Sequence, residues 1–599
     1  MSTQLRHNEY YNMQTKLDEL YERSKNNGLE GYDLYGKITE KHNILLAYRN
    51  IKSNTGSKTA GVDGKTIADF KIESEDSLVN EIVNCLDNYE PNGVRRVEIP
   101  KPNGKTRPLG IPTMRDRLIQ QMFKQILEPI CEAKFYNHSY GFRPNRATKH
   151  AMARCQHLIN RNGLHYVVDI DIKGFFDNVN HNKLVKQLYN MGIKDRRVLA
   201  VINKMLKAPI EITGVPTKGT PQGGILSPLL SNVVLNDLDH WISNQWESLN
   251  TNHKYSDNGC KYRSLKKTNL KEMFIVRYAD DFKIFARNHK SAYKIYHGVK
   301  KYLKNNLDLE ISPEKSKITN LRKNKSEFLG FTLEAKRKTK KYVAITHVAP
   351  NKKNEIVNKA RELIKNIQKD TSVKSVNHYN SYVMGIKNYY KSATHVSIDF
   401  AKIAYRLFRT LYNRLKSIGK YGVPRKPSET YKLFNKNNYK TFEVLGVHLH
   451  PIADVRTLDN RNFKQSICNY TSEGRNDKQI IKGSIALELQ LMLMNTHEGQ
   501  TVEYTDNRLS RYSMQKGICA ITGEFIYSYD VHCHHILPKS LGGTDEYRNL
   551  VIVNRTVHKL IHAVTDKTIE RYMQILKLNG KQLEKLNKYR KKCNLTEII

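Results

Sequence analysis

Two adjacent acidic residues, Asp280 and Asp281, lie between two apolar runs of the chain. Residues 273–276 and 282–286 carry the aromatic and β-branched residues typical of strands, which predicts a hairpin with both carboxylates at its turn. Neighbouring negative charges repel each other unless a cation compensates them, and carboxylate oxygens commonly hold a divalent metal. The pattern predicts a metal-binding turn that needs a further acid from elsewhere; an exposed acidic turn is the alternative.

Asp171 is the candidate for that further acid, because an apolar run over residues 166–170 ends directly before it. A strand that ends there would bring this carboxylate to face the acidic turn. Asp169 lies on the same predicted strand face, two residues earlier, so it remains a second candidate. We expect Asp177 to cap a helix that begins near His181.

Two further segments carry groups suited to phosphate. Lys101 and Arg107 lie on either side of a Pro-Asn-Gly turn between two predicted strands, where two cations could grip a triphosphate. Residues 218–224 read Lys-Gly-Thr-Pro-Gln-Gly-Gly and open a predicted helix. Glycines allow a ligand to approach the backbone closely, and a helix start favours phosphate.

A dense group of histidines near the end of the chain indicates a second centre. His558 and His562 are four residues apart on a predicted helix, so both imidazoles lie on one face and can hold one metal ion. His534 and His535 are neighbours on a predicted strand and point in opposite directions. One of them can therefore bind a metal while the other takes a proton from water.

The composition predicts a polyanionic partner. The 599 residues include 100 Lys and Arg against 58 Asp and Glu, a formal net charge of +42. Nucleic acid is a better candidate than a membrane surface, because we find no apolar run of membrane-spanning length and no secretory signal. The eight cysteines show no disulfide-like framework, so we expect a bacterial cytoplasmic protein.

The elements between the two centres are predominantly helical and basic. Residues 356–367, 379–390 and 398–415 have apolar stripes at helical spacing and predict a three-helix bundle. Its outer surface would carry cationic side chains, namely Arg406, Arg409, Arg414 and Lys416. Residues 425–510 are basic with little periodicity, and we describe them only as a basic linker region.

The order of the blocks around the acids resembles that of the group II intron-encoded reverse transcriptase/maturase family. The likeness covers about residues 40–335 and includes Tyr-Ala-Asp-Asp at 278–281, the glycine loop at 218–224 and Phe-Leu-Gly at 328–330. By this resemblance, Asp171, Asp280 and Asp281 hold two Mg²⁺ ions. The resemblance also assigns contacts with the incoming deoxynucleotide to Lys101, Arg107, Phe176, Gln222 and Lys315.

Each of these contacts has an implied role. Lys101 and Arg107 correspond to residues that grip the nucleotide phosphates, and Phe176 to the bulky residue that collides with a 2′ hydroxyl and so selects deoxynucleotides. Gln222 corresponds to a loop residue near the templating base pair. Lys315 is a candidate proton donor on the pyrophosphate side.

The histidine group resembles an HNH endonuclease over about residues 517–565. That likeness implies that His534, His558 and His562 bind one divalent metal, Mg²⁺ or a similar ion, that His535 is the general base and that Asn549 fixes the loop carrying it. Many relatives carry Cys-x2-Cys pairs for a structural zinc. Here Thr522 stands where the partner of Cys519 would be, so we do not expect that zinc.

Together these patterns predict an α+β fold: a right-hand polymerase with fingers, palm and α-helical thumb, followed by a ββα-metal HNH nuclease domain. The expected divisions are an N-terminal extension and start of the fingers (1–90), fingers and palm (91–335), thumb (336–425), basic region (426–510), and nuclease with C-terminal tail (511–599). The expected partners are group II intron RNA, target DNA, template-primer and dNTPs, with monomer and dimer both open.

We expect a multifunctional enzyme for intron mobility that copies RNA into DNA, assists splicing and cleaves the second DNA strand. The alternatives are an RNA-binding splicing factor with relic catalytic centres and a reverse transcriptase of another retroelement. Retention of all three acids and the full histidine set argues against the relic.

Overall fold

The computed structural model describes residues 3–52, 54–69, 75–100, 106–211, 213–221, 223–458, 460–478, 488, 492 and 501–598. The chain divides into two units: Thr15–Gly474, and Arg475–Ile599 together with Met1–Gln14. Within the described ranges, none of the helices has the length and apolar character needed to cross a membrane.

The larger unit begins with helices that pack around one central helix, Met114–Glu132. Thr113 caps the start of this helix, because its Oγ1 accepts a hydrogen bond from the backbone N–H of Asp116 at 3.3 Å. Its predicted apolar face, which includes Leu118, Met122 and Ile126, is fully buried. The surrounding helices are Gln14–Lys25, Leu34–Ile38, Lys41–Lys52 and Glu75–Asp87, with short 3₁₀ turns at Thr55–Lys58 and Ile67–Asp69.

An antiparallel hairpin precedes the central helix. Strand β1 (Arg95–Pro100) pairs with β2 (Thr106–Ile111), and Ile99 lies opposite Arg107. The hairpin predicted around the Pro-Asn-Gly turn is confirmed. The turn itself lies outside the described residues, and so does Lys101.

A four-stranded antiparallel sheet forms the centre of the larger unit. Its strands are β3 (Tyr166–Ile170), β4 (Met273–Tyr278), β5 (Asp281–Ala286) and β6 (Lys317–Asn320), in the spatial order β4-β5-β3-β6. The predicted hairpin around the two acids is confirmed as β4 and β5, with Tyr278 opposite Asp281.

Seven helices accompany this sheet in the described part of the chain: Thr148–Asn160, Phe175–Asn178, His181–Asn190, Arg196–Leu206, Ser227–Asn244, Asn258–Leu265 and His289–Leu307. The helix at His181 is capped by Asn180, whose Oδ1 accepts a hydrogen bond from the backbone N–H of Lys183 at 3.1 Å. Our expectation for Asp177 was wrong, because this residue lies inside the short preceding helix.

Three strands and three helices follow the central sheet. Strands β7 (Ser326–Phe328), β8 (Phe331–Lys338) and β9 (Lys341–Val348) form an antiparallel sheet. The predicted helices are confirmed as Pro350–Lys369, Val373–Tyr390 and Val396–Leu415. Their buried apolar side chains share one core with those of β8 and β9.

A small sheet continues this core beyond the three helices. Strand β10 (Lys420–Gly422) pairs with β11 (Thr441–Val444), which pairs with β12 (Val447–His448), and a helix at Glu429–Phe434 lies between β10 and β11. The sheet therefore crosses residue 425, where we expected the helical domain to end.

The segment Phe463–Tyr470 returns to the central helices and acts as a strap across them. The Tyr470 hydroxyl donates to a carboxylate oxygen of Glu128, and Asn145 Nδ2 donates to Asn469 Oδ1 at 2.9 Å. The guanidinium of Arg146 lies 4.3 Å from the centre of the Phe463 ring. The strap ends just before the helix Ser472–Lys478.

The smaller unit has its own apolar core and contains the predicted ββα arrangement. Strands β13 (Val531–His535) and β14 (Leu550–Asn554) pair antiparallel and lead directly into the helix Arg555–His562. Other helical elements in the described part of this unit are Thr3–Tyr10, Val502–Met514, Lys539–Leu541, Tyr547–Asn549, Asp566–Leu576 and Gly580–Lys592.

Candidate active sites

The first site is at the open end of the central sheet, where three carboxylates meet. Asp281 begins β5, Asp280 is in the turn before it, and Asp171 directly follows β3. The last pair of the β3–β5 ladder joins Ile170 to Phe282, so the next residue of each strand brings Asp171 beside Asp281. The predicted convergence of these acids therefore follows from the sheet register.

The electrostatics of these acids suit cation binding. Desolvation raises the pKa of Asp281 to about 6; the carboxylates of Asp280, Asp169 and Asp171 add to the rise, and Lys283 opposes it. Desolvation also raises the pKa of Asp280, with a contribution from Asp171. Bound cations would relieve this repulsion, and carboxylate oxygens are suitable ligands for Mg²⁺.

Asp169 differs from these three acids in its surroundings. It is buried, and its carboxylate accepts hydrogen bonds from Lys283 Nζ, Thr319 Oγ1 (3.0 Å) and Ser326 Oγ (3.0 Å). The strand ends at Ile170, so the alternation that places Asp169 and Asp171 on one face does not extend to Asp171. Of the two candidates, Asp171 is the one that directly follows the strand end beside Asp281.

Three of the predicted nucleotide contacts lie in the described structure. Lys315 Nζ lies 3.3 Å from Asp171 Oδ2, and the positive charge of Arg107 opposes the rise in the pKa of Asp280, so both cations are near the acids. Phe176 lines a cavity of 270 Å³ together with Gly219 and Thr220 of the glycine loop. Gln222 lies outside the described residues, as Lys101 does.

A buried network, absent from the sequence predictions, holds the acidic turn. The guanidinium of Arg277 is fully buried and donates to Asp239 (2.6 and 2.9 Å), to Asn232 Oδ1 (2.9 Å) and to the carbonyl of Ala279 (2.9 Å). We call these four residues the turn brace. Two sequence features could have indicated this network. Arg277 is the only charge in its strand, and Asn232 and Asp239 lie about two turns apart on one helix.

Gly141 packs directly against the same turn. A Cβ atom placed on this glycine would lie 2.3 Å from the backbone nitrogen of Ala279. The carbonyl of Gly141 accepts a hydrogen bond from Asn232 Nδ2 at 2.8 Å, and Tyr140 N–H donates to the carbonyl of Arg277 at 2.8 Å. The Ser-Tyr-Gly loop and the acidic turn therefore form one packed unit.

The second site is in the smaller unit, where His534, His558 and His562 converge. One ring nitrogen from each lies within 4.8 Å of those of the others. Nε2 of His534 is buried and has no hydrogen-bond partner among the described residues. Burial and the neighbouring imidazoles lower the pKa of His534 and His558 to about 3 each. Neutral imidazoles and an orphaned nitrogen fit a divalent metal.

His535 points away from this triad, as the strand alternation predicts. Its Nε2 lies 2.7 Å from Asp545 Oδ1, and its ring stacks on Tyr504. The bond to a carboxylate places the proton on Nε2, which leaves Nδ1 as the acceptor in the neutral ring. Burial opposes ionisation of Asp545, but hydrogen bonds from Lys539, Thr501 and His535 outweigh it and hold its pKa below the usual value.

Asn549 holds the loop between the two strands. Its Oδ1 accepts from Leu537 N–H at 2.9 Å, and its Nδ2 donates to the carbonyls of Leu537 (3.0 Å) and Thr544 (2.8 Å). Asp545 is not among the residues predicted from the sequence, although it is an acid that closely follows the Gly-Gly pair and precedes Asn549. Together, these contacts fix the position of the histidine that faces Asp545.

Both sites lie in segments of the chain that match known protein families. Residues 99–333 match the reverse transcriptase (RNA-dependent DNA polymerase) family, and residues 517–563 match the HNH endonuclease family. The histidine triad and His535 lie inside the second match, and all three palm acids lie inside the first.

Individual proteins similar to this chain are also found. The group II intron-encoded protein LtrA of Lactococcus lactis subsp. cremoris is 30% identical over 474 residues, which cover 68% of this chain and 76% of LtrA. Protein YkfC of Escherichia coli (strain K12) is 32% identical over 334 residues, 53% of this chain and 86% of YkfC. The putative COX1/OXI3 intron 1 protein of Saccharomyces cerevisiae is 26% identical over 522 residues, 76% of this chain and 60% of that protein. With both enzymatic domains in one chain, this protein belongs to the group II intron-encoded reverse transcriptase/maturases that carry an HNH endonuclease.

Proposed function

We propose that Asp171, Asp280 and Asp281 are the metal ligands of the reverse transcriptase centre and that the ions are two Mg²⁺. The proposal is supported by their convergence at the sheet end. It is also supported by the raised pKa values of Asp280 and Asp281, which burial and the neighbouring carboxylates cause. Bound there, the ions would activate the primer 3′ hydroxyl and stabilise the leaving oxygen of an in-line displacement.

The surrounding side chains would position the nucleotide. Lys101 and Arg107 bind its phosphates, with the guanidinium forming paired hydrogen bonds. Phe176 closes the space beside the sugar, Gln222 contacts the templating pair, and Lys315 gives a proton to the departing pyrophosphate. The 3.3 Å contact between Lys315 and Asp171 supports a role for this lysine at the reacting phosphate.

In the nuclease, we assign one divalent ion, Mg²⁺ or a similar metal, to His534, His558 and His562. The ion would stabilise charge on the scissile phosphate. His535 takes the proton from the attacking water at Nδ1, while Asp545 holds the ring through Nε2 and stabilises the charge it gains. Asn549 keeps the loop in place through its three hydrogen bonds.

The protein is a reverse transcriptase, a maturase and an endonuclease. We propose that these activities act in one mobility cycle: the chain binds its intron RNA, the RNA inserts into one strand of target DNA, the HNH domain cuts the other strand, and the palm copies the RNA with dNTPs. The observation that carries this proposal is that one strongly basic chain contains both three converging acids at a sheet end and a histidine triad. We place the cycle in the bacterial cytoplasm, which suits the eight free cysteines.

The polymerase assignment is tested with Asp281→Asn. This variant should lose RNA-templated DNA synthesis but keep tight binding of intron RNA, because binding depends on basic surfaces spread over the chain. Primer extension at the wild-type rate would refute the assignment.

The nuclease assignment is tested with two histidine variants. His535→Ala should stop cleavage of the second DNA strand while the purified protein keeps its metal, whereas His558→Ala should lose the metal as well. Primer extension should persist in both, because the polymerase acids belong to the other unit. Normal second-strand cleavage by His535→Ala would show that another group is the base.

A further inference from the structure

A cavity between the helix Val373–Tyr390 and the small sheet region is not used by either catalytic site. It encloses 350 Å³, within the range of small-molecule sites, roughly 300–1,000 Å³. Four cationic side chains line it: Lys387, Lys391, Lys436 and Arg456. None of the four forms an ion pair with another of the described residues within 4.0 Å. The cavity therefore concentrates positive charge.

Lys387 is the unusual member of this group. Its side chain is 7% exposed, and its ammonium donates to Asn435 Oδ1 at 2.9 Å. An ammonium has three hydrogens to donate, and burial of a charge without an ion pair is costly. Burial lowers the pKa of this lysine to about 8, while the charge of Asp454 opposes the shift. An anion in the cavity would supply the missing counter-charge.

The other walls favour a larger ligand than a simple anion. Met384 and Val455 are apolar, and the half-exposed ring of Phe434 offers a face for stacking. Asp454 also lines the cavity, with its carboxylate held by the backbone N–H and Nδ2 of Asn437. A carboxylate repels a plain anion but accepts hydrogen bonds from the N–H groups of a base.

We propose that this cavity binds one nucleotide unit, a base together with its phosphate group. The phosphate is held by Lys387, Lys391, Lys436 and Arg456, and the base lies against Phe434 within reach of Asp454. The unit is either a free nucleoside monophosphate or a residue turned out of an RNA strand. Only the second source depends on the RNA-binding role proposed above.

The test uses the full-length protein and the photoreactive probe 8-azidoadenosine 5′-monophosphate. The binding buffer contains EDTA, because the nucleotide site of the polymerase needs divalent metal and is then disabled. Crosslinked peptides are mapped by mass spectrometry, and adenosine 5′-monophosphate, a short oligoadenylate RNA and inorganic phosphate serve as competitors. We expect crosslinks in residues 384–391 or 434–436.

Two sets of variants remove the cations. The rim double variant Lys436→Ala/Arg456→Ala leaves the interior intact, and Lys387→Met keeps the aliphatic stem but removes the buried charge. Each should weaken probe binding by about tenfold, since at least one charged hydrogen bond to phosphate is lost. Lys440→Ala, which removes an exposed lysine outside the cavity from the same segment, is the matched control and should bind normally.

Each outcome has a distinct meaning. Stronger competition by oligoadenylate than by the mononucleotide assigns the site to an RNA strand, and the reverse assigns it to a free nucleotide. Equal competition by inorganic phosphate, crosslinks elsewhere, or normal binding by the rim double variant would overturn the proposal. Because binding is measured without polymerisation or cleavage, these results are independent of the Asp281 and His535 tests.

Discussion

Replacing Asp239 with Asn should weaken the turn brace, lower the free energy of unfolding of the larger unit and slow primer extension. The substitution keeps the shape of the side chain but removes the negative charge that faces the buried guanidinium of Arg277. Arg277 would still reach Asn232 and the Ala279 carbonyl, but it would remain as a buried charge without a counter-ion. Breaking a buried ion pair in this way costs about 3–5 kcal/mol.

The matched control makes the same chemical change in an exposed ion pair of the same unit. Lys359 and Glu362 are 2.7 Å apart and about half exposed, so Glu362→Gln should change the free energy of unfolding by no more than about 1 kcal/mol. Denaturant unfolding of both variants, followed by a probe in the larger unit, gives the comparison. Primer extension at saturating template-primer and dNTP measures the effect on catalysis.

The two measurements report different consequences of the brace. Arg277 contacts the carbonyl of Ala279, next to Asp280, so loosening it should shift the acids. A displacement of about 1 Å at a reacting group can reduce the rate by about 10²-fold. If Asp239→Asn unfolds at the same denaturant concentration as Glu362→Gln and extends primers normally, the brace neither stabilises the unit nor positions the turn.

Two further predictions concern the same site. Gly141→Ala should slow primer extension and leave DNA cleavage intact, because the new methyl group would press on the backbone of Tyr278 and Ala279. Gly422→Ala is the control, because the space around Gly422 is open. Equal polymerase rates for the two variants would contradict the packing argument. Phe176→Ala should admit ribonucleotides, since it enlarges the cavity beside the glycine loop. Single-turnover incorporation of dNTP and rNTP measures this discrimination. Unchanged discrimination would show that another residue selects the sugar.

Local patterns predicted the elements that carry the chemistry. The alternation on both sides of Asp280 and Asp281 gave the hairpin, and the apolar run before Asp171 gave the strand that brings the third acid to it. The four-residue spacing of His558 and His562 gave the helical face of the metal site. These features depend on residues close together in sequence, where periodicity is informative.

The features that were missed depend on contacts between distant residues. Asp239 and Arg277 are 38 positions apart, and nothing local indicates that a helix carboxylate and a strand guanidinium meet. The strands β10 to β12 are short, so their alternation is too brief to recognise within a basic segment. The choice between Asp169 and Asp171 required Lys283, Thr319 and Ser326, which come from three other strands.

The strap at Phe463–Tyr470 sets the order in which a working polymerase can be synthesised. Asn469 contacts Asn145, which lies in the loop beside the acidic turn. The ribosome adds Asn469 to the chain 324 positions after Asn145. A nascent chain that stops before the strap contains all three catalytic acids, but the loop that packs on their turn is still unsecured on its outer side. Since contacts between distant residues form only after both have been synthesised, the palm is completed just before the Arg475–Ile599 segment begins to emerge. A chain that ends before the strap would therefore lack the contacts that Asn469 and Tyr470 make with this loop and with the central helix.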